Sequence, residues 1–196
     1  MTPFFTTFLI EDGKAVWIEE HLARILYFSR KTGIPVYIHD ILQRVTEISE
    51  KYSEPQRGRI ILFSDGTFEV SAHHFPKNQI TSARIINILP RGEIKIWPTR
   101  NFDKKEDEEL IFCNESSGFV LEGTVTNVFV LIDNTFYTPP ADGFIVDGIC
   151  RKKFITALNL RGICVREEYF SPEILFSGEV FLTNALRGIM QIKMVV

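Results

Sequence analysis

Residues 121 to 151 read LEGTVTNVFVLIDNTFYTPPADGFIVDGICR, and this stretch leaves a chain few ways to fold. An acid, Glu122, closes an apolar run and meets a glycine. Asn127 to Ile132 is then an almost continuously apolar strand. Asp133-Asn134 signals a turn, and Thr135 to Thr138 returns as the second strand of a hairpin. Pro139-Pro140 ends the pairing, and a loop from Gly143 to Gly148 leads into the helical pattern of Ile149, Lys152, Lys153 and Ile155. A glycine loop feeding a helix presents unpaired N–H groups and the positive end of the helix dipole, which suits a phosphate. Hairpin, loop and helix occur equally in purely structural roles, so this order points to an anion site without naming one.

The remaining chain divides into two α/β halves with a seam near residues 76–89, giving expected domains of 1–80 and 81–196. In the first half, Phe4 to Ile10 and Ala15 to Ile18 read as a hairpin across Glu11 to Lys14. Helical spacing predicts helices over His21 to Lys31 and Ile38 to Tyr52, the second with Ile41, Leu42, Val45 and Ile48 as its buried stripe. Arg57 to Phe63 and Thr67 to Ala72 pair across Ser64-Asp65-Gly66. Beyond the seam, strands are expected at Ala83 to Leu89, Glu109 to Cys113, Gly118 to Leu121, Cys164 to Glu167, Val180 to Thr183 and Ile189 to Val195. The charge run from Asp103 to Glu109 reads as a solvated helix start or loop.

Composition narrows the function classes. The 196 residues carry a net charge of −3 and no long basic block, which argues against nucleic-acid binding by bulk electrostatics. No apolar run approaches the roughly 20 residues of a membrane span, and no secretory leader pattern opens the sequence. Three isolated cysteines fit a reducing, cytoplasmic setting and show no metal spacing. His73-His74, adjacent on a strand, point to opposite faces and do not converge on a metal.

Four motifs in order carry a family resemblance over nearly the whole chain. His21-Leu22-Ala23-Arg24-Ile25 resembles H-x-x-R-L, and Glu122 to Phe129 resembles E-G-t-x-x-N-x-F. Thr138-Pro139-Pro140, Gly143, Gly148-Ile149 and Arg151 follow T-P-p…G-x-l-x-G-i-x-R. Glu179 to Asn184 follows E-v-f-l-t-n. These strings resemble the fold-type IV pyridoxal-phosphate enzymes, which comprise branched-chain and D-amino-acid aminotransferases and 4-amino-4-deoxychorismate lyase. The resemblance implies an α/β (α+β) two-domain fold, here shortened at its N-terminal rim, and pyridoxal 5'-phosphate as cofactor. It also implies a small-molecule substrate and a homodimer. Phe5-Thr6-Thr7 with Asp12-Gly13-Lys14, and Asn184-Ala185 with Arg187-Gly188, resemble the lyase strings more than those of aminotransferases. The expected activity is therefore 4-amino-4-deoxychorismate lyase, forming 4-aminobenzoate and pyruvate. An aminotransferase of branched-chain or D-amino acids is the runner-up, and a non-catalytic relative a third reading.

The same resemblance implies roles residue by residue. Such enzymes need a lysine to carry the cofactor and then act as general base and acid, a partner for the pyridine nitrogen, and a phosphate cup. Lys95 is the expected lysine. Its neighbours Ile94 and Ile96 are apolar, and Lys95 to Asp103 resembles K-t-t-x-R-x-x-Y-D, with Arg100 one place late. Lys104 and Lys105 are its rivals. Glu122 is expected at the pyridine nitrogen. Arg24, the N–H groups of Ile149 and Cys150, and Asn184 or Ala185 are expected at the phosphate. Arg57, Arg59, Arg91 and Arg187 are candidates for substrate carboxylates, and Thr7 for a substrate contact. For any single one of these arginines, a solvated surface position is the simpler alternative.

Overall fold

The computed structural model describes residues 3–75, 79–89 and 102–195. They fall into two compact units, 3–75 in one and 79–89 with 102–195 in the other.

In the first unit β1 (Phe4–Glu11) turns through Asp12-Gly13, both at positive φ, into the two-residue β2 (Lys14–Ala15). Helix α1 (Ile18–Thr32) follows and ends on Gly33 in the left-handed region, then α2 (Ile38–Ser49), β3 (Gln56–Leu62) and β4 (Phe68–His74). The strands form one antiparallel sheet in the order β2-β1-β3-β4. Alternation along β1 and β3 sends Phe4, Phe8, Ile10, Ile60 and Leu62 to one face. There they pack against Leu22, Ile25 and Phe28 of α1 and Ile41, Val45 and Ile48 of α2. Two sequence expectations are corrected. The strand expected over Ala15 to Ile18 stops at Ala15, because Trp17, at φ 54°, turns the chain into α1 before Ile18 can pair. Leu42, expected in the buried stripe of α2, is 38% exposed, since it lies off the line through Ile41, Val45 and Ile48.

The second unit contains β5 (Ser82–Ile88), β6 (Glu108–Asn114), β7 (Val120–Gly123), β8 (Asn127–Ile132) and β9 (Thr135–Thr138). Helix α3 (Ile149–Leu160), β10 (Cys164–Glu167), α4 (Ile174–Ser177), β11 (Glu179–Asn184) and β12 (Gly188–Met194) follow. Its strands join in one mixed sheet ordered β10-β9-β8-β11-β12-β5-β6-β7. The pairs β10/β9, β12/β5 and β5/β6 are parallel and the others antiparallel. The β8–β9 hairpin turns on Asp133 and Asn134, both at positive φ as its two-residue loop requires. Phe129, Phe136 and Phe181 face α3 and meet its Phe154 and Leu158. Val128, Val130, Val180 and Leu182 face the other way and pack with Phe170 and with Leu175 of α4. This α+β architecture with a mixed sheet is the fold class that the sequence implied.

The charge run does not stay in solvent. Asp103, Lys105, Glu106 and Asp107 are exposed, but Glu108 is buried and Glu109 is fully so. Both belong to β6, where Glu108 accepts from Arg84 Nε at 3.0 Å and Glu109 meets donors from a neighbouring turn, described below. Among the described residues, no helix is long and apolar enough to cross a membrane.

Gly58 of β3 lies against the fully buried Phe8 ring, and a Cβ there would come within 2.3 Å of it. Gly58→Ala is therefore expected to lose about 1–3 kcal/mol in urea unfolding. Burial pushes the Cys113 and Cys150 thiols from 9.0 up to about 11. The folded state thus favours the protonated thiols. That contribution is complete below pH 9.0 and is lost as pH rises towards 11. At about pH 8 iodoacetamide is expected to label exposed Cys164 and spare both buried thiols, read by peptide mass spectrometry.

Candidate functional site

The string from Glu122 to Asn127 bends around the backbone of one residue, Val146. Glu122, 5% exposed, ends β7 with Gly123. Its Oε2 accepts the N–H of Val146 at 3.1 Å. Asn127, the first residue of β8, donates from Nδ2 to the carbonyl of the same Val146 at 2.8 Å. The loop expected to bind an anion is thus held from both sides by the motif that precedes it. Asn127 also dictates the glycine at the start of α3. A Cβ on Gly148 would lie 2.0 Å from Asn127 Oδ1, so no side chain fits there.

Gly148 is the N-cap of α3, and having no side chain it supplies no side-chain cap to the first turn. Arg151, 2% exposed, fastens this first turn. It donates to Asp147 Oδ1 at 3.3 Å, to the Pro139 carbonyl at 2.9 Å and to Glu167 Oε2 at 2.6 Å. The last loop comes to the same place. The backbone N–H of Asn184 reaches the Cys150 sulfur, and this contact opposes the burial that raises the thiol. Asn184 Oδ1 accepts the N–H groups of Leu186 and Arg187 at 3.0 and 2.8 Å, which shapes the turn 184–187. Ala185 and Arg187 are half-buried in it.

Thr183, absent from the sequence-level candidates, adds to this group. It pairs with Asn127 across the β8–β11 ladder and shares a strand face with Phe181, which packs towards α3. It is fully buried, yet its Oγ1 has no hydrogen-bond partner among the described residues. A buried unsatisfied hydroxyl, a helix that starts on a glycine and a structured loop together fit an anionic group such as a phosphate. The signal in the sequence was slight, a lone Thr ending an apolar strand one residue before the turn.

Glu109 was also missed. Its carboxylate accepts hydrogen bonds from the N–H groups of Leu110, Thr124 and Val125 and from the hydroxyls of Thr124 and Thr126. Its position next to the four apolar residues Leu110 to Cys113, rather than among the preceding charges, was the available clue.

In the first unit, Thr7 and Arg59 are direct partners across β1 and β3, and Arg57 lies two residues along. All three lie on the sheet face away from the helices. Arg59 stacks over the Phe5 ring at 5.2 Å. Burial first, and then the Arg57 charge, hold its guanidinium below the usual range, while Glu69 acts the other way. Arg57 Nε is buried without a partner among the described residues. Arg24 is half-buried in the α1 layer and does not share that face. Near it on α1, His21 is fully buried and its Nδ1 lies 2.6 Å from Thr6 Oγ1, pinning the helix to β1.

Lys95 and Arg91 lie outside the described residues. Of the rival lysines, Lys104 is half-buried and its Nζ donates to the Glu108 carbonyl, whereas Lys105 is exposed. Among the described residues no group of three His, Cys, Asp or Glu side chains is placed to hold a metal.

Residues 94–195 match the family model "Amino-transferase class IV". The D-alanine aminotransferase of Bacillus licheniformis is 32% identical over 93% of this chain and 75% of its own length. Several branched-chain-amino-acid aminotransferases match over only 25–59% of their lengths. Among solved structures, a hypothetical aminotransferase from Mycobacterium tuberculosis in its PLP-bound form superposes with a TM-score of 0.85 at 19% identity. That superposition covers 98% of this chain and 81% of the other. A 4-amino-4-deoxychorismate lyase from Pseudomonas aeruginosa does so with a TM-score of 0.82 at 17% identity, covering 98% and 83%. At these identities the two structural likenesses establish the fold, while the family model and the D-alanine aminotransferase relative extend it to descent. The chain belongs to the class IV aminotransferase family, the fold-type IV enzymes that work with pyridoxal phosphate.

Proposed function

We propose that this protein is a pyridoxal-phosphate-dependent aminotransferase of small amino acids. The observation that carries the reaction type is the 32% identity to a D-alanine aminotransferase along 93% of the chain. The local geometry supports the cofactor. When bound, pyridoxal phosphate supplies an electron sink for breaking a bond beside the substrate nitrogen. Glu122 would hold a negative charge against the protonated ring nitrogen and so keep the sink strong. The N–H groups of Ile149 and Cys150, with Asn184, Ala185 and Thr183, would bind phosphate oxygens. The resemblance of His21 to Ile25 to the family string supports Arg24 as a phosphate ligand.

Lys95 is our choice to carry the cofactor and then to move the substrate proton, supported by its match to the family string from Lys95 to Asp103. Thr7, Arg57 and Arg59 form one face on which a substrate carboxylate would find a hydroxyl and two guanidinium groups. Arg91 and Arg187 are kept as further carboxylate partners. The resemblance also supports a homodimer, which light scattering tests.

A second reading, 4-amino-4-deoxychorismate lyase, is favoured by Phe5-Thr6-Thr7 and by Ala185, which offers no hydroxyl where aminotransferases usually have one. Half-reactions separate the two. An aminotransferase converts bound cofactor to pyridoxamine phosphate with D-alanine or a branched-chain amino acid alone. The lyase does not accumulate it, and instead releases pyruvate and 4-aminobenzoate from 4-amino-4-deoxychorismate. Addition of pyridoxal phosphate is expected to produce an absorbance band near the visible edge that Lys95→Ala abolishes. Borohydride reduction and peptide mapping should then locate the cofactor on the peptide containing Lys95. A band that survives Lys95→Ala and disappears in Lys104→Ala or Lys105→Ala rejects the lysine assignment, and no band in any variant favours the non-catalytic relative. Glu122→Gln is expected to lower turnover by about 100-fold while leaving the protein folded by circular dichroism.

A further inference from the structure

We propose that Glu109 is a positioning residue whose carboxylate sets the distance between Glu122 and Asn127, and through them the loop at Val146. The proposal rests on the reading of Glu122 as the ring-nitrogen partner. Glu109 begins the apolar part of β6 and has no exposed surface. A carboxylate in that setting is tolerated only when donors replace its water. Five do so. Oε1 accepts the N–H of Leu110 at 3.0 Å, the N–H of Thr124 at 3.1 Å and the Thr124 hydroxyl. Oε2 accepts the N–H of Val125 at 3.4 Å and the Thr126 hydroxyl at 3.2 Å.

Four of these donors belong to the turn Thr124–Thr126, which is the whole link between Gly123 and Asn127. The turn is closed by Gly123 N–H to the Thr126 carbonyl at 2.8 Å and by Thr124 N–H to the Leu110 carbonyl at 3.1 Å. It approaches Glu109 so closely that a Cβ on Gly123 would lie 3.0 Å from Glu109 Cγ and 2.1 Å from Thr126 Oγ1. On either side of the turn stand the two side chains that grip Val146. If the turn loosens, Glu122 and Asn127 lose their fixed separation, and the backbone of Val146 cannot satisfy both. Glu109 acts through the backbone that joins them.

The donors also discriminate between substitutions. In Glu109→Gln the amide oxygen can take the Oε1 position and keep its three donors. The amide nitrogen can donate to the rotatable Thr126 hydroxyl, so only the longest contact, from Val125, is lost. Glu109→Ala removes all five.

The test uses the full chain as wild type, E109Q, E109A, E122Q and the double variant E109A/E122Q. Hydrogen–deuterium exchange of residues 122–127 is measured without cofactor. Titration with pyridoxal phosphate then gives the Kd and the pH midpoint of the bound-cofactor absorbance. E109A is expected to speed exchange of the Thr124 and Val125 amides and to weaken cofactor binding, each by about tenfold. It should move the absorbance midpoint in the direction that E122Q moves it, and add no further movement in the E122Q background. E109Q should keep the protection of the turn. Thr126→Val, which removes one donor and leaves the carboxyl intact, gives a graded version of the loss if E109A does not fold. Unchanged exchange in E109A and Thr126→Val overturns the proposal, whatever the cofactor does. So does a midpoint shift of equal size with and without Glu122, which is the mark of a general structural role. If E122Q alone leaves both Kd and midpoint untouched, the reading of Glu122 fails and this proposal falls with it. That pattern differs from failure of Glu109 alone, in which E122Q shifts the midpoint and E109A does not.

Discussion

The backbone of Val146 is held on both sides, its N–H by Glu122 and its carbonyl by Asn127. Much of the second unit is arranged around that grip. Because Asn127 must reach across, residue 148 can carry no side chain. Because residue 148 is glycine, α3 starts without a side-chain cap from its N-cap residue. Because α3 starts there, Cys150 meets the turn at Asn184, which brings the last loop to the same corner. A few directional bonds thus bring a hairpin, a loop and a helix to one corner, where we propose that the phosphate binds.

Buried polar groups carry unusual weight here. Glu109, Glu122, Asn127 and Arg151 are nearly or fully inaccessible, yet each is engaged by several partners or by a backbone peptide. Such groups stabilise little on balance, since burial costs about what the bonds return. What they add is uniqueness of geometry, because each is satisfied in only one arrangement. Arg151 shows the point. A cation in the first turn opposes the helix dipole, and Asp147 and Glu167 compensate while tying the helix start to β9 and β10. The buried hydroxyl of Thr183 has no hydrogen-bond partner among the described residues, and a ligand oxygen at the helix start would supply one.

Where the chemistry is local, the sequence was legible. The hairpin β8–β9 was read to the residue, because Asp133-Asn134 is a two-residue turn and the strands on either side are apolar. The helical pattern read from Ile149 onward starts α3 at that residue, and β10 was placed without error. Errors fell where neighbours in space overruled neighbours in sequence. Glu109 was grouped with the charges before it and not with the turn that binds it. Leu42 was counted into the core, and the β1 hairpin was extended past Ala15 into what is helix.

Taken alone, the sequence determined the α+β class, the sites of the turns and the residue types of an anion loop beside an acid. These depend on backbone preferences and on side-chain periodicity, which act over a few residues. Only the tertiary structure decided that Glu122 and Asn127 grip the same residue, that Thr183 and Asn184 join the start of α3, and that five donors converge on Glu109. Those contacts link residues up to 56 positions apart, as between Asn127 and Thr183. Hydrogen bonds depend on distance and angle, and nothing in the linear order of residues states which donor a buried carboxylate will find.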